Sequence, residues 1–294
     1  MKNLWKWIVG LTCILCVVGV MPEEKQIVKA GNGSNIIPIT REEGSGTRGA
    51  FIGLTGLEKR NVLGELADST ADDIAVVASS EEMIKQIELT QNGVGYVSYA
   101  LVKEVDLVKL VSVDGVELTM EHMKNGSYPL TRLFNLVYNG KLTAIEKDFL
   151  QYVKSRGQRT ISDFCVPVRN EGIYLSNGAA GSLTISGSTS MTPMLRALAD
   201  DYMTVNKDAT VKIVSSDSES GMMDVMAGSS NFGMVSRDLR SYENEILSNE
   251  TIGKDGIAII VNRKNELKDI SITQLEKIYD KSIVSWEYLS VSMN

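Results

Sequence analysis

Three times along this chain a short apolar run ends in a cluster of hydroxyls and glycine and then gives way to a helical pattern, a recurrence that restricts the possible folds severely. The first run, Ile36, Ile37 and Ile39, enters Thr40 to Phe51, T-R-E-E-G-S-G-T-R-G-A-F. The second, Leu183 to Ile185, enters S-G-S-T-S-M-T-P, and the third, Val211 to Val214, enters S-S-D-S-E-S-G. Glycines such as Gly44, Gly46 and Gly49 let a ligand or a second backbone approach the main chain. A helix starting near Ser45 aims free N–H groups and the positive end of its dipole at whatever lies beyond the turn. Ser45 and Thr47 add hydroxyls there, and Arg41 is placed to clamp an anion with two prongs. One such turn reads equally well as an ordinary helix cap. Three of them point to one shared anion.

The remaining pattern alternates strands and helices. Ser79 with Glu82 reads as a capping box before Met83, Ile84 and Ile87, and Gly93 to Tyr99 reads as a strand. Asp114-Gly115, between Val108 to Val113 and Val116 to Leu118, predicts a two-residue hairpin, and a helix is expected from near Thr119. Leu133 to Tyr138 is a strand candidate before a helix capped by Thr143 and Glu146. The stretch from Glu171 to Gly181, rich in Gly, Ser and Asn, reads as a loop between two complete units. Pro193 suits the first turn of a helix whose apolar face is Met191, Leu195, Leu198 and Tyr202. Another helix, through Met222, Val225 and Met226, follows the third turn, and Phe232 to Val235 then runs into Ser236-Arg237-Asp238. Ile257 to Val261 is a fully apolar strand, and Ser271 with Gln274 caps a last helix. Such alternation predicts α/β layers with mixed or mostly parallel sheets, whose binding crevices lie beyond the carboxyl ends of strands.

With 294 residues, 43% apolar and 23% charged, the chain has enough material for two lobes. Lys2 and Lys6 precede an uncharged run from Trp7 to Met21, which suits a secretory signal or an uncleaved anchor (residues 1–21), and residues 22–33 read as a linker. Export is the consequence. Loss of the signal moves the net charge from −7 to about −9, and no basic face for nucleic acid is expected. Neither Cys13 nor Cys16 follows a small residue as lipidation requires, so a lipid anchor is not expected. The mature chain keeps Cys165 alone and cannot form an internal disulfide. His122 is the only histidine, which removes a Ser-His-Asp triad and histidine-based metal binding; no metal, cofactor or catalysis is expected. Because the net charge is negative, capture of an anion must rest on local dipoles in a recessed cleft.

Taken together, these motifs resemble the PstS family, the phosphate-binding proteins of ABC importers. R-E-E-G-S-G-T-R-G-A-F looks like that family's central motif, I-S-G-S-T-S-M-T-P-M-L like its amino-terminal motif, and S-E-S-G and F-G-M-V-S-R-D-L like the two turns that follow. Y-P-L-T-R-L-F (Tyr128 to Phe134) and I-A-I-I-V-N (Ile257 to Asn262) look like its two interlobe crossings. The order is rearranged, with the central motif first, as in a circular permutant; a rearranged or truncated gene is the alternative.

The resemblance implies a two-lobed periplasmic-binding-protein fold, with residues 34–128 and 263–294 in one lobe and 129–262 in the other. It implies a monomer that closes on inorganic phosphate, or another tetrahedral oxyanion, and presents it to a membrane permease. Arg41, Ser45, Gly46 and Thr47 would serve from one lobe, and Thr189, Ser190 and Ser220 from the other. An aspartate that usually follows the serine of the fourth turn is replaced by Arg237, which either faces the cleft and relaxes selectivity or faces solvent. Two other readings stay open. Gly44 to Gly49 also spells G-x-G-x-x-G, a nucleotide-binding fingerprint of NAD type with Glu65 or Asp68 on the ribose. A phosphate sensor or surface protein without a transport role would share the fold.

Overall fold

The computed structural model describes residues 35–62, 64–102 and 106–290. The expected signal or anchor (1–21) and linker (22–33), with Cys13 and Cys16, lie outside the described residues. In chain order the elements of the first half are β1 (Ile37–Arg41), α1 (Gly46–Thr55), β2 (Glu58–Arg60), β3 (Leu66–Asp68), β4 (Ala75–Val77), α2 (Ser80–Leu89), β5 (Gly93–Ser98), α3 (Tyr99–Val102), β6 (Val108–Val113) and α4 (Met120–Asn125). There follow β7 (Thr131–Tyr138), α5 (Ala144–Lys154), α6 (Gly157–Ser162), β8 (Val166–Pro167), β9 (Gly181–Ser188), α7 (Thr192–Val205), β10 (Ala209–Ser216), α8 (Ser218–Met226), β11 (Phe232–Val235) and α9 (Ser241–Ile246). The chain closes with β12 (Ser248–Asn262), β13 (Asp269–Ile270), α10 (Ile272–Tyr279) and a 3-10 turn, Trp286–Ser290.

The main sheet runs β10-β9-β11-β7-β12-β5-β1-β4. Its two ends are parallel, β10-β9-β11 at one and β5-β1-β4 at the other, and antiparallel pairings with β7 and β12 join them. The long strand β12 makes the join. Residues Ser248 to Gly256 pair with β7, and Ile257 to Asn262 pair with β5 and β6. Two large apolar cores sit on either side, with a smaller cluster of Val137, Met222, Val225, Val235 and Leu247 under α8. One holds Phe51, Tyr96, Ile257 to Val261 and Tyr279; the other holds Phe134, Phe149, Leu195, Tyr202 and Phe232. This is the two-lobed α/β architecture with a cleft between lobes, and its parallel ends leave the carboxyl ends of β1, β9 and β10 facing the cleft.

Most caps fall where the sequence puts them. Ser45 caps α1, Thr143 with Glu146 and Ser271 with Gln274 form complete capping boxes, and Pro193 lies in the first turn of α7. At α2 the box is only half made: Ser79 accepts from Glu82 N–H, while the Glu82 carboxylate turns to Ala78 N–H. The expected hairpin is a turn without a second strand. Asp114 and Gly115 have φ of 50° and 76°, and Val113 and Val116 exchange backbone bonds, but β6 pairs with β12 and β13. Leu118 is drawn into the core and the chain turns at once into α4. Met226, expected on the buried face of α8, is 44% exposed because the helix buries Met222 and Val225 instead. Cys165 is fully buried.

Residues 168–180 carry no helix or strand, and Asp148 gathers several of the hydrogen bonds that tie them down. Asp148 accepts from the Tyr174 and Tyr202 hydroxyls, Ser176 Oγ, Asn177 N–H and Asn206 Nδ2. Burial pushes its carboxyl up, but these donors outweigh burial and hold it below the usual range.

Candidate anion-binding site

The turn after β1 is braced from below by aromatic packing. Phe51 stacks on Tyr96 with ring centroids 4.0 Å apart, and Tyr279 meets Phe51 edge-on at 4.9 Å. Burial pushes the Tyr96 phenol up to about 12, so it stays protonated, sharing a hydrogen bond with Thr40 Oγ1 and accepting Arg41 N–H. The backbone of Arg41 is thereby fixed. Its side chain is 2% exposed and lies between the lobes. Nε and Nη2 grip Glu42, Nη1 donates to Ser80 Oγ at 3.0 Å, and Nη2 reaches across to Thr189 Oγ1 at 3.2 Å.

From there a chain of hydroxyls spans the cleft. Ser80 Oγ lies 3.1 Å from Thr189 Oγ1 and 3.4 Å from Ser190 Oγ, and Ser190 Oγ lies 2.9 Å from Thr47 Oγ1. Thr47 accepts from Arg132 Nη1 at 2.8 Å, and the same nitrogen donates to the Ser236 carbonyl at 2.9 Å. Ser236 Oγ in turn accepts from Ser188 Oγ at 2.8 Å and lies 3.5 Å from Ser218 Oγ. All of these side chains are buried. The amino ends of α1, α2 and α8 point their first residues, Gly46, Ser80 and Ser218, at this network.

Close approach of the lobes explains the glycines. A Cβ at Gly46 would stand 2.2 Å from Ser218 Oγ and 2.6 Å from Ser236 Oγ, and one at Gly44 would stand 2.4 Å from Asp217 Oδ1. Between those glycines, Glu219 N–H donates to the Gly44 carbonyl. The same contact leaves no room at the start of α1 for a dinucleotide. Asp68, a ribose-binding candidate in that reading, lies on the β2-β3 ribbon outside the main sheet and pairs with Arg48.

Of the residues singled out in the sequence, the structure brings Arg41, Gly46, Thr47, Thr189 and Ser190 together. Ser45 is buried beside them as the cap of α1, accepting from Arg48 N–H. Ser220 is not in the network: its hydroxyl and N–H both turn to Asp217, which caps α8. Arg237 does not face solvent and stays outside the hydroxyl network: its stem lies against Gly49 of the other lobe while its head group turns away to a carboxylate. It is 5% exposed and gives both terminal nitrogens to Glu243, whose carboxyl is lifted by burial but carried below its usual range by that arginine. Sequence reasoning gave no site role to Ser80, Arg132 and Ser236, and it placed Ser188 and Ser218 in the hydroxyl turns without assigning them to the ligand. Ser80 and Ser218 open helices, a position where a hydroxyl first suggests a cap. Arg132 is the one charge in a largely buried strand, and its partner Asp255 stands one glycine before an apolar run; a charge in such a setting is the signal that was available.

Arg132 and Asp255 form a buried pair on the two strands that cross between lobes. Nε and Nη2 donate to Asp255 Oδ2 at 3.1 and 3.0 Å, Ser98 Oγ donates to the same oxygen, and Oδ1 has no hydrogen-bond partner among the described residues. Burial pushes the Asp255 carboxyl up and the Arg132 guanidinium down, each against the attraction of the other. Among the described residues there is no metal-binding group of acids, cysteines or histidines, and no helix long and apolar enough to cross a membrane.

Residues 174–292 match the model of a PBP superfamily domain. The phosphate-binding protein PstS 2 of Streptococcus agalactiae serotype V is 37% identical over 256 residues, covering 86% of this chain and 87% of its own. The chain belongs to the PstS family. PstS 2 of Streptococcus pneumoniae serotype 4 is 32% identical over 263 residues, covering 88% and 89% of the two chains. The crystal structure of a phosphate-binding protein of a phosphate ABC transporter from Streptococcus pneumoniae TIGR4 superposes with a TM-score of 0.70 at 32% identity, covering 87% of this PstS-family chain and 99% of that one. The PstS of Bacillus subtilis matches over 114 residues only, 38% of each chain, at 32% identity.

Proposed function

We propose that this PstS-family protein captures inorganic phosphate between its lobes outside the cytoplasmic membrane and delivers it to an ABC permease, catalysing nothing. The observation that carries the reading is the network from Arg41 through Thr189, Ser190 and Thr47: buried hydroxyls from both lobes, with helix amino ends behind them, whose acceptors are almost all neutral oxygens. A tetrahedral oxyanion offers those donors charged acceptors, and each charge-assisted hydrogen bond is worth about 1.5–3 kcal/mol. Arg41, Ser45, Gly46, Thr47, Thr189 and Ser190 are the residues assigned to it. Ser220 and Arg237 are assigned to supporting the turns around it. The reading includes a monomer, held at the membrane by the 1–21 segment or released from it, without a lipid anchor.

The lobes divide at the two crossings, near Tyr128 to Thr131 and within β12; Ile257 to Asn262, expected in the 129–262 lobe, pair with β5 and β6 and are counted instead with residues 34–128 and 263–294. The order of segments is read as a circular permutation. Asn35 bridges Ser285 and Ile36 N–H donates to the Val284 carbonyl, so the two described ends of the chain adjoin. An aligned stretch of 256 residues with the streptococcal relative, against 114 with the Bacillus one, supports an order shared with the former and rearranged from the latter.

Thermal melting with phosphate, sulfate and NAD added separately tests the reading, since a tight ligand raises the melting temperature by mass action. Phosphate should give the largest rise. A rise with NAD alone would discard the reading, and equal rises with sulfate and phosphate would widen the ligand class to tetrahedral oxyanions.

A further inference from the structure

Arg132 stands in the cleft in a way that structural pairing alone does not explain. Its Nε and Nη2 edge is bound to Asp255, whereas both Nη1 hydrogens rest on neutral oxygens, Thr47 Oγ1 and the Ser236 carbonyl. Thr47 is also the partner of Ser190, and Ser236 Oγ, 3.3 Å from Nη1, is the partner of Ser188. The hydroxyl chain that begins at Arg41 therefore ends at Arg132. The two guanidiniums are near enough that the charge of Arg41 lowers the proton affinity of Arg132. Each has one carboxylate, Glu42 or Asp255, on the edge turned away from the hydroxyls. On the edges turned toward them neither finds a negative acceptor, and a buried cation in that position is stabilised by any anion that replaces the hydroxyl oxygens. Arg132 also lines an interlobe cavity of about 310 Å³ beside Gly49, Gly53, Arg237 and Arg240, although its side chain is buried.

We propose that Arg132 is a second anion-binding arginine of this cleft, turning its Nη1 edge onto the bound oxyanion opposite Arg41, with Asp255 as the positioning residue that fixes its other edge. This rests on the reading of the cleft as a phosphate site. On binding, Thr47 and Ser190 exchange each other's oxygens for those of the anion, and Arg132 follows without changing its bonds to Asp255. A direct contact requires the planar fork: lysine keeps the charge but cannot serve Asp255 and the anion together.

Isothermal titration of phosphate into the full chain, and into R132Q and R132K, supplies one half of the test. Affinity is expected to fall tenfold or more in R132Q and to be only partly restored in R132K. The other half is measured on the unaltered protein, so it stands even where the variants misfold. With 15N-labelled arginine, bound phosphate should give a 15N–31P coupling through a hydrogen bond to an Arg132 Nη resonance, assigned by its loss in R132K or, should that variant misfold, by backbone-to-side-chain correlation. Coupling confined to Arg41, or R132Q affinity within twofold of the unaltered protein, would overturn the assignment while leaving the phosphate reading intact. An unaltered protein that binds no phosphate would overturn the reading itself, and this inference with it.

Discussion

The cleft network and the cluster around Asp148 are both crowded with buried donors, yet the donors converge on different things. Around Asp148, two tyrosine hydroxyls, a serine, an amide side chain and a backbone N–H meet on a built-in carboxylate. In the cleft, hydroxyls meet hydroxyls, and the two arginines that border them keep their carboxylates at their backs. The first arrangement is a finished structural joint: it carries its own anion and fastens residues 168–180 to α5 and α7. The second has donors of both lobes facing one another with only neutral oxygens between. A protein that leaves such a network in a cleft has placed its binding energy where a ligand of the missing charge can collect it.

Substitutions at the two places must therefore separate binding from stability. The largest separation is expected at Gly46→Ala. The methyl group would stand within 2.2 Å of Ser218 Oγ, so the lobes cannot close to the observed distance, and phosphate affinity by calorimetric titration should fall a hundredfold or more. Stability should not fall, because alanine in the first turn of α1 is favoured over glycine by up to about 1 kcal/mol. An affinity within fivefold of the unaltered protein would show that the lobes do not need this contact. Asp148→Ala should do the opposite: urea unfolding is expected to show a loss of about 3 kcal/mol, with phosphate affinity unchanged within twofold. Loss of binding there would mean that the connecting segment takes part in closure.

Acid sharpens the same contrast. The donors around Asp148 hold its pKa below the ordinary 3.8, so its contribution to stability is fully present above that value and is lost as the pH falls from there through the lower folded value. Glu243, held down by Arg237, acts with the same sign below its ordinary 4.5. Stability measured from pH 5 downward should therefore decline less steeply in Asp148→Asn than in the unaltered chain. Equal slopes would remove Asp148 from the account of acid sensitivity.

The sequence disclosed the strand-to-helix turns, most caps and the glycines of close approach because each is a local device with a local signature. Three of the cleft contacts it missed are set by pairing between distant segments. Arg132 and Asp255 are brought together only by the register of β7 on β12, where Arg132 lies opposite Asp255, and no local pattern fixes that register. Ser80 is buried because α2 packs on β5 and β1 and its first residue meets Thr189 and Ser190 of the other lobe, although its place in the sequence is that of any first helical residue. The failed hairpin after Gly115 has the same origin. Its turn chemistry was legible, but β13, from far along the chain, occupies the edge of β6 that the second strand needed.

The third turn gives the finest test, since of its serines sequence reasoning chose Ser220 and the fold presents Ser218. Ser220 lies one turn into the region where a cap hydroxyl is expected, and the structure uses it so: it turns back to Asp217, the residue that caps α8. Ser218 is fully buried, lies 3.5 Å from Ser236 Oγ and accepts the Ser236 N–H at 3.1 Å, which places it on the cleft side of the same turn. Ser218→Ala should therefore weaken phosphate binding severalfold, up to about tenfold for one hydrogen bond of ordinary strength. Ser220→Ala should leave affinity within twofold and lower stability by no more than about 0.5 kcal/mol, the loss expected when one partly buried hydroxyl leaves a cap that keeps its aspartate. Should the two variants exchange these behaviours, the turn would have to rotate on binding, bringing Ser220 inward as Asp217 releases it. The hydroxyls now seen at the cleft would then belong to a different position of the lobes from the one that grips the ligand.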